Sequence, residues 1–359
     1  MERERNNGID LLRIIAMFFV VILHALGHGG VLDNVETGSP QYSLAWALEI
    51  IAYPAVDTFA LITGYVSFSQ RHPYSLAKTC AGYSTTWLQV VYYCVLITIA
   101  LQIINTKWIT ISDLIYSFFP VTNNMYWYFT AYTGVIVLSP LITAGVRGLS
   151  NKSAVYILII ILLVFSLFDS FSMRFSLNSG YSVIWLLLLY CVGAIMKKIC
   201  APEKLTKGKC VLCILILYIL TWCWKIFIGG DIKIMTLSLT NDSLVSYTSP
   251  TIICISILYL ALFAQIKTGP ITTSVIRFLA PGAFSVYLLN DNRLIRAHYI
   301  EGRFDMIVVE NSWHLFLIIV CFAIAFTIIA LFVDKPRQLL FNKMLIKKRI
   351  EKCADRLIG

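Results

Sequence analysis

Ten stretches of this chain are apolar over close to the length a helix needs to cross hydrocarbon, about 20 residues. They run roughly over 9–28, 46–69, 83–104, 126–146, 153–170, 183–196, 210–228, 247–266, 276–290 and 313–333, and the ninth is interrupted by Pro281 and Gly282. The stretches are solidly apolar rather than alternating, so spanning helices are favoured over a barrel. With 58% hydrophobic and only 13% charged residues, the composition lies outside soluble usage. The expected class is all-α: a polytopic integral membrane bundle of about ten transmembrane helices.

Basic residues set the expected orientation. On ten alternating loops, 21 of the 29 Lys and Arg residues fall on one side and seven on the other, with Arg13 left inside the first span. The positive-inside rule then makes both termini cytoplasmic. A net charge of +10 is accounted for by that topology, and no nucleic-acid partner is expected. Membrane lipid is the expected surroundings, and the tail LIKKRIEKCADRLIG has the composition to lie on anionic headgroups. Residues 1–335 read as the transmembrane domain and 336–359 as a basic cytoplasmic tail. The first segment is expected to be retained rather than cleaved as a signal peptide.

The segments between spans are short, so any chemistry must lie within the bundle or at its mouths. No phosphate loop, nucleophile elbow or dinucleotide fingerprint is present in the sequence. The ten cysteines lie mostly within or beside spans and read as packing residues. Cys210 and Cys213 form the only CxxC, with no second pair to complete a zinc set. No metal is expected.

Ionisable residues inside spans mark functional sites by default. Arg13 and His24 share the first span, DLLRIIAMFFVVILHALGHG. Eleven residues are close to three helical turns, which places them on nearly one face about 16 Å apart. An imidazole titrates near neutral pH and can take a proton from an attacking hydroxyl. Helix packing for His24 and snorkelling for Arg13 are the competing structural readings, with Asp10 three residues before Arg13. His28 follows His24 by one turn and is expected at the rim of the external mouth. In the second span, AYPAVDTFALITGYVSF, Asp57 stands in an apolar run. A carboxylate at that depth needs a partner, which His24 or Arg13 of the first span can supply, and His24 is the expected one.

Four segments carry a family resemblance. DLLRIIAMFFVVILH resembles the arginine, ten residues, histidine signature of acyltransferase family 3, membrane O-acyltransferases that decorate bacterial surface polysaccharides. VDTFALITGY is similar to that family's VDxFFxxSGY segment. WYFTAYTGVIVLSPLI resembles its aromatic-led middle helix, and AFSVYLLNDN its late YLxH segment, with Asn290 where many relatives have histidine.

The resemblance implies transfer of an acyl group, most often acetyl, from cytoplasmic acyl-CoA to a hydroxyl of an extracytoplasmic or lipid-linked glycan. It implies His24 as catalytic base and Arg13 as its paired arginine. Asp57, Tyr65, Trp127 and Tyr128 fall on motif positions, the first as a catalytic candidate and the others, with His28, as substrate-binding candidates. The donor's phosphates need cations, and Arg71, Lys78, Lys197 and Lys198 are available, although topology explains those four equally well. The implied location is the bacterial plasma membrane. Direct transfer and an acyl-histidine intermediate both stay open, and a transporter or flippase for a glycan or lipid-linked precursor is the alternative function.

Overall fold

The computed structural model describes residues 5–69, 75–172, 174–228, 232–234, 237–309 and 311–358. In chain order the helices are α1 (Asn7–Leu26), α2 (Val31–Asn34), α3 (Pro40–Ala52), α4 (Pro54–Ser67), α5 (Leu76–Ile104), α6 (Ile111–Phe118), α7 (Trp127–Gly148), α8 (Asn151–Ile160) and α9 (Asp169–Ser172). They continue as α10 (Val183–Lys198), α11 (Ala201–Lys204), α12 (Lys207–Phe227), α13 (Pro250–Ala264), α14 (Pro270–Leu279), α15 (Ala283–Asn290), α16 (Arg293–Ile295), α17 (Ser312–Val333), α18 (Lys335–Lys343) and α19 (Ile346–Ile358). A π-helical stretch over Ile161–Phe168 joins α8 to α9. One short antiparallel ribbon pairs Ile232–Ile234 with Leu237–Leu239.

Eight helical runs among the described residues are long and apolar enough to cross a membrane. Two shorter helices, α10 and α13, lie on the remaining two apolar stretches. All ten stretches therefore fold as helix, and the fold is a polytopic membrane bundle.

Two proline breaks shape the interior. Pro54 lacks the amide that would continue the helix, so the second span divides into α3 and α4 while Tyr53 N–H still donates to Glu49 O at 2.9 Å. In the ninth span, a 3₁₀ turn over Ala280–Gly282 separates α14 from α15. Both breaks turn side chains toward α1, the helix on which α3, α4 and α15 pack.

The tightest packing lies between α4 and α10. A Cβ at Gly64 would stand 1.9 Å from Tyr190 O, and one at Gly193 would stand 2.1 Å from Leu61 O. Small residues are what allow two membrane helices to approach so closely, because dispersion rather than hydrophobic transfer holds them there. At the other end, Asp334 is fully buried and accepts Arg337 Nε and Nη2 at 2.6 Å and Tyr93 Oη at 2.8 Å, fastening α18 and α17 to α5.

Candidate active site

The first helix begins cleanly because Asn6 caps it, its side chain accepting from Ile9 N–H at 3.1 Å. One turn in, the buried Asp10 accepts Arg13 Nη1 at 2.7 Å and also pairs with Arg5. Two cations on one carboxylate fix the guanidinium of Arg13 beside a cavity of about 200 Å³. Its wall includes Thr63, Thr86, Gln89 and Tyr132. The amide nitrogen of Gln89 is buried with no hydrogen-bond partner among the described residues.

The opposite end of α1 carries His24 into a larger cavity of about 360 Å³. Nδ1 of His24 is hydrogen-bonded to Oδ1 of Asn290, the last residue of α15. An amide oxygen only accepts, so the ring proton lies on Nδ1 and the Nε2 lone pair is left free. Beyond it, the His24 and His28 ring centroids are 5.1 Å apart, Arg296 Nη1 donates to His28 Nε2 at 3.4 Å, and Arg296 pairs with Asp291 at 3.6 Å. Tyr126 holds this corner in place: Asn292 donates to its hydroxyl at 2.9 Å, and the hydroxyl donates to Leu288 O at 2.8 Å.

Asp291 lies just past the ninth span. Burial pushes its carboxyl up to about 6, against the opposing pull of the Tyr287 hydroxyl, Arg296 and His28. His24, His28 and Asp291 also offer ligand atoms within 4.8 Å of one another, a set that a divalent cation can use. The guanidinium of Arg296 contacts two of the three, so positive charge is already supplied there by the chain.

Phe59, Tyr128 and Phe284 line both cavities. Arg13 and His24 therefore face adjoining chambers that share one aromatic wall.

Of the residues singled out in the sequence, His24, His28, Trp127 and Tyr128 come together in the larger cavity, and Arg13 joins the smaller one. The expected pairing of His24 with Asp57 does not form. Asp57 is fully buried and takes Trp185 Nε1 on Oδ1 at 3.0 Å, while Asn290 has the imidazole. The Pro54 break moves Tyr53, Val56 and Phe59 onto the cavity wall instead. Tyr65 stacks under the Lys197 ammonium at 4.7 Å, and Lys198 donates to Arg147 O at 3.0 Å. Lys78 is exposed at the start of α5. These four lie outside the linings of the two cavities, and Arg71 lies outside the described residues.

Sequence reasoning missed two residues of the site, Asn290 behind His24 and Glu49 on the cavity wall. Asn290 had been noted only as a departure from a family motif. Glu49 is 7% exposed, lines the cavity and has one carboxyl oxygen with no hydrogen-bond partner among the described residues. The rule that drew attention to Asp57, a carboxylate inside an apolar run, applies equally to Glu49 within LAWALEIIA.

A family model described as an acyltransferase domain matches residues 6–339, nearly the whole chain. Neither the curated proteins nor the solved structures contain a match.

Proposed function

The chain belongs to acyltransferase family 3, and from that premise we propose that it transfers an acyl group, acetyl in the simplest case, from cytoplasmic acyl-CoA to a hydroxyl of an extracytoplasmic or lipid-linked glycan. The observation that carries this reading is the hydrogen bond between His24 Nδ1 and Asn290 Oδ1: with the amide oxygen as acceptor the proton lies on Nδ1, and Nε2 is free to act as a base toward the larger cavity. A donor confined to one face and an acceptor confined to the other need a reaction centre open to both, and the two adjoining chambers suit that need.

The smaller chamber is assigned to the thioester arm. Arg13 supplies a fixed cation, and the unpaired Gln89 amide supplies a donor for a carbonyl of the arm. In the larger chamber His24 Nε2 takes the proton of the acceptor hydroxyl as its oxygen attacks the thioester carbonyl. Collapse of the tetrahedral adduct breaks the carbon–sulfur bond, and the imidazolium returns the proton to the departing thiolate. The same lone pair serves a two-step route in which His24 first takes the acyl group. Rapid-quench labelling with donor alone separates the two, since only the second leaves label on the protein.

Ester-linked acetyl on the surface glycan of a host expressing wild type, His24→Ala or Arg13→Ala tests the assignment. The expected outcome is acetylation by wild type and loss of it in both variants. Equal acetylation in all three removes His24 and Arg13 from the chemistry.

A further inference from the structure

Glu49 is a polar group in the larger cavity that the transfer chemistry leaves unused. It sits in the last turn of α3, one turn before the Pro54 break, and it is more than nine-tenths buried. Keeping a carboxyl away from water without satisfying both oxygens is costly, yet Oε2 has no hydrogen-bond partner among the described residues. The nearby ammonium of Lys225 is engaged elsewhere, paired with Asp242 and 3.6 Å from the centre of the Trp46 ring. A carboxyl group on a cavity wall, with an oxygen that no protein donor meets, is a site for a ligand's hydroxyl.

The surrounding wall agrees with that reading. Tyr53 packs on Tyr247 at 4.8 Å between centroids, Tyr247 on Tyr181 at 5.2 Å, and Tyr181 on Trp127 at 4.6 Å. These four rings brace one another into a continuous aromatic surface, and all four line the cavity with Glu49 and His24. Flat apolar faces beside a lone carboxyl suit a ligand with C–H faces and hydroxyl edges. The two oppositely charged groups that share this wall, Arg296 and Asp291, are paired with each other at 3.6 Å, so the wall calls for neither an anionic nor a cationic ligand.

We infer that the larger cavity is a subsite for a neutral sugar ring, with Glu49 accepting its hydroxyls and Tyr53, Trp127, Tyr181 and Tyr247 covering its faces. Glu49 is then a specificity residue that selects the acceptor and presents one hydroxyl to His24. The inference rests on the acyltransferase reading and deepens it.

The test uses the full chain in detergent micelles and reads binding separately from transfer. Saturation-transfer NMR is run with methyl hexosides and, as a cationic probe, choline; acetyl transfer to the same hexosides is then followed with labelled acetyl-CoA. The hexosides are expected to bind wild type, and Glu49→Gln is expected to weaken them by about three- to tenfold, the range for one hydrogen bond. The KM for acetyl-CoA should stay unchanged. Tyr181→Ala, at a half-exposed position where folding is not at stake, should weaken the same probes. Binding of choline alone, binding of none of the probes, or hexoside binding unmoved by both substitutions overturns the sugar subsite. Hexoside binding that depends on Glu49 but is never followed by acetyl transfer upholds the subsite and removes acetyl transfer to a sugar hydroxyl as the reaction.

Discussion

His24 and Asn290 are 266 residues apart in the chain and hydrogen-bonded through Nδ1 and Oδ1. The contact closes the bundle between its first long helix and the end of its ninth apolar segment. It also decides which nitrogen of the imidazole can act.

Replacing Asn290 by Leu removes the acceptor that orients the ring. At metal sites a group that orients a ligating imidazole is worth about 10- to 100-fold, and acetyl transfer is expected to fall by a factor of that order with acetyl-CoA binding intact. Asn290→Asp keeps an oxygen at the same place and should retain most of the rate. Initial rates for the two variants side by side check this, and equal rates in Leu and Asp would remove the orienting role.

In the smaller cavity, Gln89→Leu keeps the volume and deletes the unpaired amide. The KM for acetyl-CoA is expected to rise roughly three- to tenfold, the range for one neutral hydrogen bond, with kcat nearly unchanged. Asp10→Asn should act on the same parameter by loosening Arg13. Steady-state kinetics with donor varied at saturating acceptor give both values.

The α4–α10 contact makes a stability prediction. At Gly193 even one methyl group would meet Leu61 O at 2.1 Å, so Gly193→Ala must push the helices apart. Overpacking of this kind costs about 1–3 kcal/mol. Gly82, with nothing within 4 Å of its would-be Cβ, serves as control, and Gly82→Ala should be neutral or mildly stabilising because it raises helix propensity. Thermal unfolding in one detergent should show a lower midpoint for Gly193→Ala alone.

Asp291 gives a pH dependence of definite sign. Its carboxyl titrates near 6 in the folded protein, above the ordinary value near 3.9, so between those values the folded state holds the extra proton. The stabilisation is complete below about 4 and is lost as pH rises through about 6. Asp291→Asn should flatten that decline, and unfolding midpoints of wild type and variant measured from pH 4 to 7.5 would reveal it. Parallel profiles would mean that Asp291 is ionised throughout.

Much of the fold could be read from the sequence because hydropathy is a local property: each of the ten apolar stretches became a helix, and the break at Pro281 and Gly282 appeared where it was expected. The Arg13 and His24 positions were equally legible, since charge within hydrocarbon is conspicuous. Their partners were not. Asp57 seemed to belong to His24, but Trp185, 128 residues further on, claims its oxygen, and only the packing of α4 on α10 brings the two together. Asn290 carries no charge to draw attention, so its pairing with His24 follows from tertiary contact alone. The four-ring wall of Tyr53, Trp127, Tyr181 and Tyr247 is gathered from four distant segments, and no local pattern announces it.

The wall shared by the two chambers, Phe59, Tyr128 and Phe284, bears on the membrane itself. Cavities approaching each other from opposite ends of a helix would, if joined by water, form a proton wire with an imidazole in its path. The rings of Phe59, Tyr128 and Phe284 at the boundary offer such a file of water few hydrogen bonds. In a membrane that holds a proton gradient, a boundary of that kind works against leakage through the protein.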